Sequence, residues 1–93
     1  MTDTRFELPE ALVIQNIAEW KARFSEQLAN GPLPPLEGSQ LRDIDTAGLQ
    51  LLLALVIEAD KQGSAVRWAS VSAELNEYAQ SLGVTEHLKL APA

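Results

Sequence analysis

Apolar residues at helical spacing mark the first helix of this chain. Four of them follow one another at intervals of three, four and four residues and so share one face: Ile17, Trp20, Phe24 and Leu28. We interpret Trp20 and Phe24 as core residues rather than as a platform for a ligand. Asn30-Gly31 is expected to end this helix, because glycine readily adopts the left-handed conformation that follows many helices.

A second helix is predicted from about Thr46 or Ala47 to Lys61. Asp45 and Thr46 are both good N-cap types, because their side-chain oxygens can accept a hydrogen bond from the first helical N–H groups. The leucine-rich run that follows is apolar on nearly all sides, which indicates a buried helix. A polar, hydroxyl-bearing turn at the tip of a buried helix is unusual for stability alone. This turn is therefore the best candidate for a working site.

A third helix is predicted between Ser72 and Gly83. Ser72 is a natural N-cap, and Glu74 sits favourably at the positive end of the helix dipole. The apolar face of this helix comprises Leu75, Tyr78, Ala79 and Leu82. Residues 84–90 are expected to form a last helical turn against the core.

The segments between the helices are interpreted as strands. Residues 5–8 alternate and residues 11–14 are apolar, and Pro9-Glu10 between them favours a hairpin. Pro34-Pro35 cannot donate to a ladder, so the next strand is expected to be short, about 36–39. The last strand covers residues 65–70. Because strands separated by helices are normally parallel, we expect an α/β fold with a four-stranded mixed sheet and about three to four helices packed against it.

Composition excludes several classes of protein. A chain of 93 residues with 46% hydrophobic residues is expected to form one domain, residues 1–93, with a real core. The absence of cysteine removes disulfides and thiolate sites. A net charge of −6 argues against a nucleic-acid surface. Without a leader pattern or an apolar run of bilayer length, we expect a cytoplasmic protein with no direct membrane insertion.

The sequence offers no strong candidate for a catalytic residue. His87 is the only histidine and is expected to be solvated. Asp43 and Asp45 could pair for metal or acid–base work, but acids at a helix entrance more often serve as cap and turn residues. No phosphate-binding glycine loop or dinucleotide motif is present. We therefore expect no enzymatic activity, no metal and no cofactor.

The stretch Ile44-Asp45-Thr46-Ala47-Gly48-Leu49, followed by its leucine-rich helix, resembles the signature of STAS domains. These are the anti-sigma-factor antagonists and their relatives. Residues 11–16, 62–63 and 82–84 also resemble pieces of that family, so the likeness covers nearly the whole chain and implies a STAS-like fold. In the family's central strand, Glu37 and Ser39 fall at the positions of an aspartate and a serine. Gly38 and Pro34-Pro35 depart from the pattern, and the groove beside Thr46 is expected to differ accordingly.

The resemblance also implies a function and its residues. Thr46 falls where the family carries the serine or threonine that a partner kinase phosphorylates, which makes it the candidate phosphoacceptor. A regulatory module would dock its partner, an anti-sigma-type kinase or a signalling complex, through the helix tip. The expected partner-binding residues are Asp45, Thr46, Ala47 and Gly48, with Ser39 and Asp43 beside them. Without the resemblance, the residues alone favour interpreting Asp45-Thr46 as a helix cap and nothing more.

Two other interpretations stay open. The chain also resembles the cytoplasmic STAS subunit of the Mla-type lipid-transport ABC complex, where the threonine turn presses on an ATPase without phosphorylation. Threonine in place of the commoner serine favours this branch slightly, and small STAS proteins of chemotaxis clusters look similar. Some STAS domains bind small ligands or nucleotides, but no residue here points to such a site.

Overall fold

The structure is a computed structural model that describes residues 4–90. Its strands are β1 (Phe6–Glu7), β2 (Ala11–Leu12), β3 (Leu36–Gly38), β4 (Asp43–Ile44) and β5 (Trp68–Val71). Its helices are α1 (Ile17–Asn30), α2 (Thr46–Lys61) and α3 (Ala73–Ser81), and a 3-10 turn at Ile14–Asn16 leads into α1. The predicted α/β class and the three predicted helices are confirmed, whereas β4 is a strand that the sequence pattern did not indicate.

The strand pairing differs from the predicted four-stranded mixed sheet. The described strands form a three-stranded sheet in the order β1-β3-β5 and a two-stranded sheet of β2 and β4, and every pairing is parallel. The expected hairpin at Pro9-Glu10 is wrong, because each arm pairs with a later strand. The Phe6 N–H donates to Pro35 O at 2.9 Å, and the Arg42 N–H donates to Glu10 O at 2.8 Å. Hydrophobic alternation identifies a strand but does not specify its partner.

The central strand β3 is short for the reason that the prolines predict. It begins at Leu36, directly after Pro35, whose carbonyl still accepts a ladder bond although its nitrogen cannot donate one. Gly38 leaves space for an aromatic ring from β5, since a Cβ built there would stand 3.0 Å from Trp68 Cζ3 and 3.1 Å from Ser70 O. Trp68 thus occupies the volume that an apolar side chain at position 38 would take.

The core forms where α1 and α2 cover the three-stranded sheet. Phe6 of β1 lies with its ring centroid 5.4 Å from Phe24 and 6.3 Å from Trp20. Trp20 and Phe24 are buried, which confirms their interpretation as core residues. The Arg23 guanidinium lies 4.8 Å from the centroid of the Trp20 ring and covers the solvent side of this cluster.

Burial of α2 is limited to one face, contrary to the expectation that it is buried on nearly all sides. Leu49, Leu52, Leu55, Val56 and Ala59 are buried, but Ala54 is exposed and the side chain of Ile57 is 55% exposed. The reason is the layer arrangement, because α1 and the strands cover only one side of α2. The opposite side of this apolar helix therefore faces solvent.

Helix α3 begins and ends where the sequence predicts, between Ser72 and Gly83. Ser72 is its N-cap and accepts a hydrogen bond from the Leu75 N–H at 3.1 Å. Leu82, expected on the buried face, is the C-cap residue of α3 and is 50% exposed. Residues 85–89 form turns that include a bond of the α-helical type, from the Leu88 N–H to Val84 O at 3.0 Å, and Leu88 and Leu90 are buried as expected of a last turn against the core.

The first turn of α2 lies directly against the backbone of β2. A Cβ built on Gly48 would stand 2.0 Å from Leu12 O and 2.9 Å from Leu12 C, with Ile44 Cγ1 at 3.2 Å. Gly48 and Leu12 are both buried. A side chain at position 48 would push the helix away from β2 and β4, so the close approach of two backbones is what requires glycine here.

We expect Gly48→Ala to destabilise the fold by about 3 kcal/mol, the upper end of the usual cost of overpacking. Replacing a helical glycine by alanine normally gains about 1 kcal/mol, but backbone atoms cannot rotate out of the way of the new methyl group. Urea unfolding followed by tryptophan fluorescence measures the change.

Gly63→Ala is the matched control for this substitution. Gly63 has a φ of +76° and no atom within 4 Å of the added Cβ, so only the strain of a left-handed alanine, about 1 kcal/mol, is expected. Equal losses of stability in the two variants would contradict the packing role of Gly48.

Candidate functional site

Asp45 joins the start of α2 to the 3-10 turn before α1. It is the N-cap of α2, with extended backbone, and its Oδ1 accepts a hydrogen bond from the Gly48 N–H at 2.9 Å. Its Oδ2 accepts a second hydrogen bond from the Ile14 N–H, also at 2.9 Å. The bonds from Gly48 and then Ile14 hold the pKa of Asp45 below its ordinary value. The cap interpretation of Asp45 is confirmed, and the carboxylate also fixes the position of a second segment.

Thr46 lies outside this arrangement. It is the first residue of α2 and its side chain is exposed. Its Oγ1 lies 3.1 Å from the hydroxyl of Tyr78 on α3, and either hydroxyl can donate. Adjacent residues of the turn therefore have different roles. Asp45 joins two segments of the chain, and Thr46 has an exposed side chain.

One large exposed apolar residue, Ile14, lies beside the same tip. Ile14 is 60% exposed, and its N–H is the group bonded to Asp45. Ile57 is 55% exposed and shares the Thr46 side of α2, but it lies about 16 Å further along the helix axis. Leu82 is 50% exposed and follows Tyr78 by four residues. We call Thr46, Ile14 and the Tyr78 hydroxyl the tip surface.

The remaining predicted site residues differ in burial and do not form a single group in the structure. Asp43 is exposed and Ala47 is half-buried, both within three residues of Thr46. Gly48 is buried against Leu12, so its part in the site is to let α2 approach β2. Ser39 is exposed, but its hydroxyl donates to Glu37 Oε2 at 2.5 Å, on the three-stranded sheet. The hydroxyls of Ser39 and Thr46 thus have different partners.

Glu37 of β3 accepts hydrogen bonds from residues in or directly next to all three strands of its sheet. Its Oε2 accepts bonds from the hydroxyls of Ser39 and Ser70, and the Arg5 guanidinium lies 2.9 Å from Oε1. Because the hydroxyls of Ser39 and Ser70, and then the charge of Arg5, favour the ionised carboxylate, the pKa of Glu37 falls from 4.5 to about 2. A carboxylate with so low a pKa is a weak base, so the cluster is suited to joining β1, β3 and β5 rather than to catalysis.

Asp45 changes what the helix tip offers to an anion. A phosphate at a helix N-terminus is ordinarily met by free backbone N–H groups. The Gly48 N–H is already occupied by the Asp45 carboxylate, so a phosphate would meet a like charge there. The Tyr78 hydroxyl is the nearby donor that the sequence did not indicate.

The comparison with known proteins agrees with this geometry. The family model described as STAS domain matches residues 2–93. The chain belongs to the STAS domain family. No curated protein and no solved structure gives a match. STAS domains are commonly regulatory or protein-interaction modules and are generally non-catalytic.

Two hollows in this STAS domain lie away from Thr46. A groove of about 100 Å³ runs between α1 and α2, lined by Lys21, Phe24, Ser25, Leu28, Leu51, Ala54, Leu55 and Glu58. A hollow of about 320 Å³ lies near the ends of these helices, lined by Leu28, Ala29, Gly31, Pro32, Gln62, Gly63 and Ser64. The groove is smaller than ordinary ligand pockets, and the hollow is at their lower limit. Neither includes a residue of the tip surface.

Within residues 4–90, no group of three or more acidic or histidine side chains is placed to hold a metal ion. No helix in that range is both long and apolar enough to cross a bilayer. Sequence reasoning missed the site roles of Tyr78, Ile14 and Glu37. Tyr78 was assigned to the apolar face of α3. The one sign of its role was its hydroxyl, which needs a hydrogen-bond partner when the residue is half-buried.

We expect Asp45→Asn to be less stable than the parent, and Asp45→Ala less stable again. An asparagine amide has one acceptor and one donor, so it can bond either the Gly48 N–H or the Ile14 N–H but not both. Thermal unfolding by circular dichroism gives the order. Asp43→Asn is the control, since this exposed position should change stability by less than about 0.5 kcal/mol. Equal stability of Asp45→Asn and the parent would contradict the role of Asp45 in accepting both hydrogen bonds.

The low pKa of Glu37 predicts a pH-dependent contribution to stability. The folded pKa of about 2 lies below the ordinary value of 4.5. The stabilisation is therefore fully present above pH 4.5 and is lost as the pH falls towards 2. The difference in free energy of unfolding between the parent and Glu37→Gln should be largest near pH 7 and shrink across this window. A difference that is constant from pH 7 to pH 2.5, measured by urea unfolding, would contradict it.

Proposed function

We propose that this STAS domain is a non-catalytic regulatory module that docks a partner protein through the tip surface. The supporting observation is the exposed Thr46 side chain near the exposed Ile14, at a helix end that Asp45 holds in place. Protein interfaces commonly combine apolar residues at the centre with polar residues at the rim. Ala47 and the exposed Asp43 and Ser39 are the rim of the proposed interface.

Charge indicates what kind of partner suits this surface. Asp43 is exposed beside the tip, and the Asp45 carboxylate is half-buried within it. The nearby cation Arg42 is already paired with Glu74 at 3.4 Å. A partner with apolar residues at its centre and lysine or arginine at its rim would complement this arrangement.

Phosphorylation of Thr46 is the proposed regulation. A serine/threonine kinase, by resemblance the anti-sigma-type partner itself, would transfer the γ-phosphoryl group of ATP to Oγ1. The Oγ1–P bond forms as the bond to ADP breaks, and a base of the kinase takes the hydroxyl proton. The modification adds about −1.5 to −2 charges at pH 7 beside Asp43 and Asp45. A docked partner would then have to desolvate and oppose this charge, while the exposed position leaves the fold intact.

A second candidate is constitutive docking without phosphorylation, as resemblance to the Mla-type subunit implies. The observation that favours it is the Thr46 hydroxyl, which is already hydrogen-bonded to Tyr78 in the unmodified chain. The partner would then be an ABC-type ATPase, and Thr46 would be a permanent contact.

Thr46→Glu is expected to abolish partner binding while changing the free energy of unfolding by less than about 0.5 kcal/mol. A photo-crosslinking amino acid at exposed Gln50, one turn from Thr46, would capture the partner in the native host, and the crosslinked protein would be identified by mass spectrometry. The Thr46→Glu substitution should remove that crosslink. Intact mass after incubation with the partner and ATP distinguishes the two candidates, since only the first adds a phosphoryl group.

Gln62→Glu is the matched control, because it adds the same charge at the far end of α2, about 24 Å along the helix axis. It should leave the crosslink unchanged, although an acidic residue at a helix C-terminus costs a few tenths of a kcal/mol. A crosslink that survives Thr46→Glu, or one lost equally in Gln62→Glu, would contradict docking at the tip surface.

A further inference from the structure

Tyr78 has a ring anchored in the domain and a hydroxyl at the proposed site. Its half-buried ring packs against the core cluster. The two neighbours of Tyr78 on the inner face of α3, Leu75 and Ala79, are fully buried. The Ser72 cap and these buried residues fix the helix, so the position of the phenol is set by packing and does not depend on Thr46.

Thr46, in contrast, has little else to hold its side chain. It is exposed, and its hydroxyl is hydrogen-bonded to the Tyr78 hydroxyl at 3.1 Å. A threonine at the start of a helix divides between rotamers that differ in where the hydroxyl and methyl groups point. A net hydrogen bond favours one rotamer by about threefold to tenfold. The bond therefore decides which group of Thr46 a docking protein meets.

We propose that Tyr78 is the positioning residue of the Thr46 site: its hydroxyl selects the Thr46 rotamer and, when Thr46 carries a phosphate, donates to a phosphate oxygen. This inference rests on the proposed function, in which Thr46 is the contact and the phosphoacceptor. The phenolic O–H is well suited to the second task, because the Gly48 N–H is occupied by Asp45. Tyr78 would thus hold either state of Thr46 from a rigid support.

Tyr78→Phe tests the first part, since it removes the hydroxyl and keeps the ring. Three-bond couplings from the Thr46 methyl carbon to the backbone nitrogen and carbonyl carbon report its rotamer by NMR. We expect values of one predominant rotamer in the parent chain and averaged values in Tyr78→Phe. Ser81→Ala is the control, because it removes an exposed hydroxyl of α3 that donates to the Tyr78 carbonyl and should leave the couplings unchanged.

Phosphothreonine installed at position 46 during translation tests the second part without a kinase. A donated hydrogen bond favours the dianion, so the ³¹P titration should give a lower phosphate pKa in the Tyr78 chain than in Tyr78→Phe. A purely structural role of Tyr78 would change thermal stability but neither the couplings nor this titration.

The outcomes separate this inference from the proposed function. Averaged couplings in the parent chain, or one rotamer retained in Tyr78→Phe, would overturn positioning by Tyr78. An unchanged ³¹P titration would overturn its role toward phosphate. A missing Gln50 crosslink would instead contradict docking at the tip surface, whatever the couplings show.

Discussion

The close approach of two backbones at Gly48 and Leu12 is the constraint on which the rest of this structure depends. Because no side chain separates them, the first turn of α2 can lie directly on β2. Asp45 then spans from the Gly48 N–H to the Ile14 N–H and closes the same corner with hydrogen bonds. A helix start held by contact on one side and by a carboxylate on the other has little freedom to move.

This rigidity supports the proposal that Thr46 is a docking residue. It follows Asp45 directly, so its backbone is held while its side chain remains exposed. An interface residue that is already ordered loses less conformational entropy when a partner binds. The same arrangement allows the residue to change charge without disturbing the core, since the groups that hold the corner are Asp45, Gly48 and Ile14.

Two half-buried carboxylates, those of Glu37 and Asp45, illustrate how local surroundings separate structural and functional roles. Glu37 and Asp45 both have lowered pKa values, and in each case the cause is hydrogen bonds donated to the carboxylate. Both carboxylates join segments that are distant in sequence: β1, β3 and β5 by Glu37, and α2 with the 3-10 turn by Asp45. Perturbed pKa values here mark structural joints, and the residue proposed to meet a partner, Thr46, is the neutral neighbour of one of them.

Sequence alone determined the local structure, because the information for it lies in adjacent residues. The caps at Asp45 and Ser72, the apolar stripe of α1 and the short strand after Pro35 all follow from contacts within a few residues. Tertiary structure decided everything that depends on which segments meet: the parallel pairing of β1 with β3, the exposed side of α2, and the Tyr78 hydroxyl beside Thr46. Periodicity assigns a side chain to a face, but only the packing of the whole chain determines what that face touches.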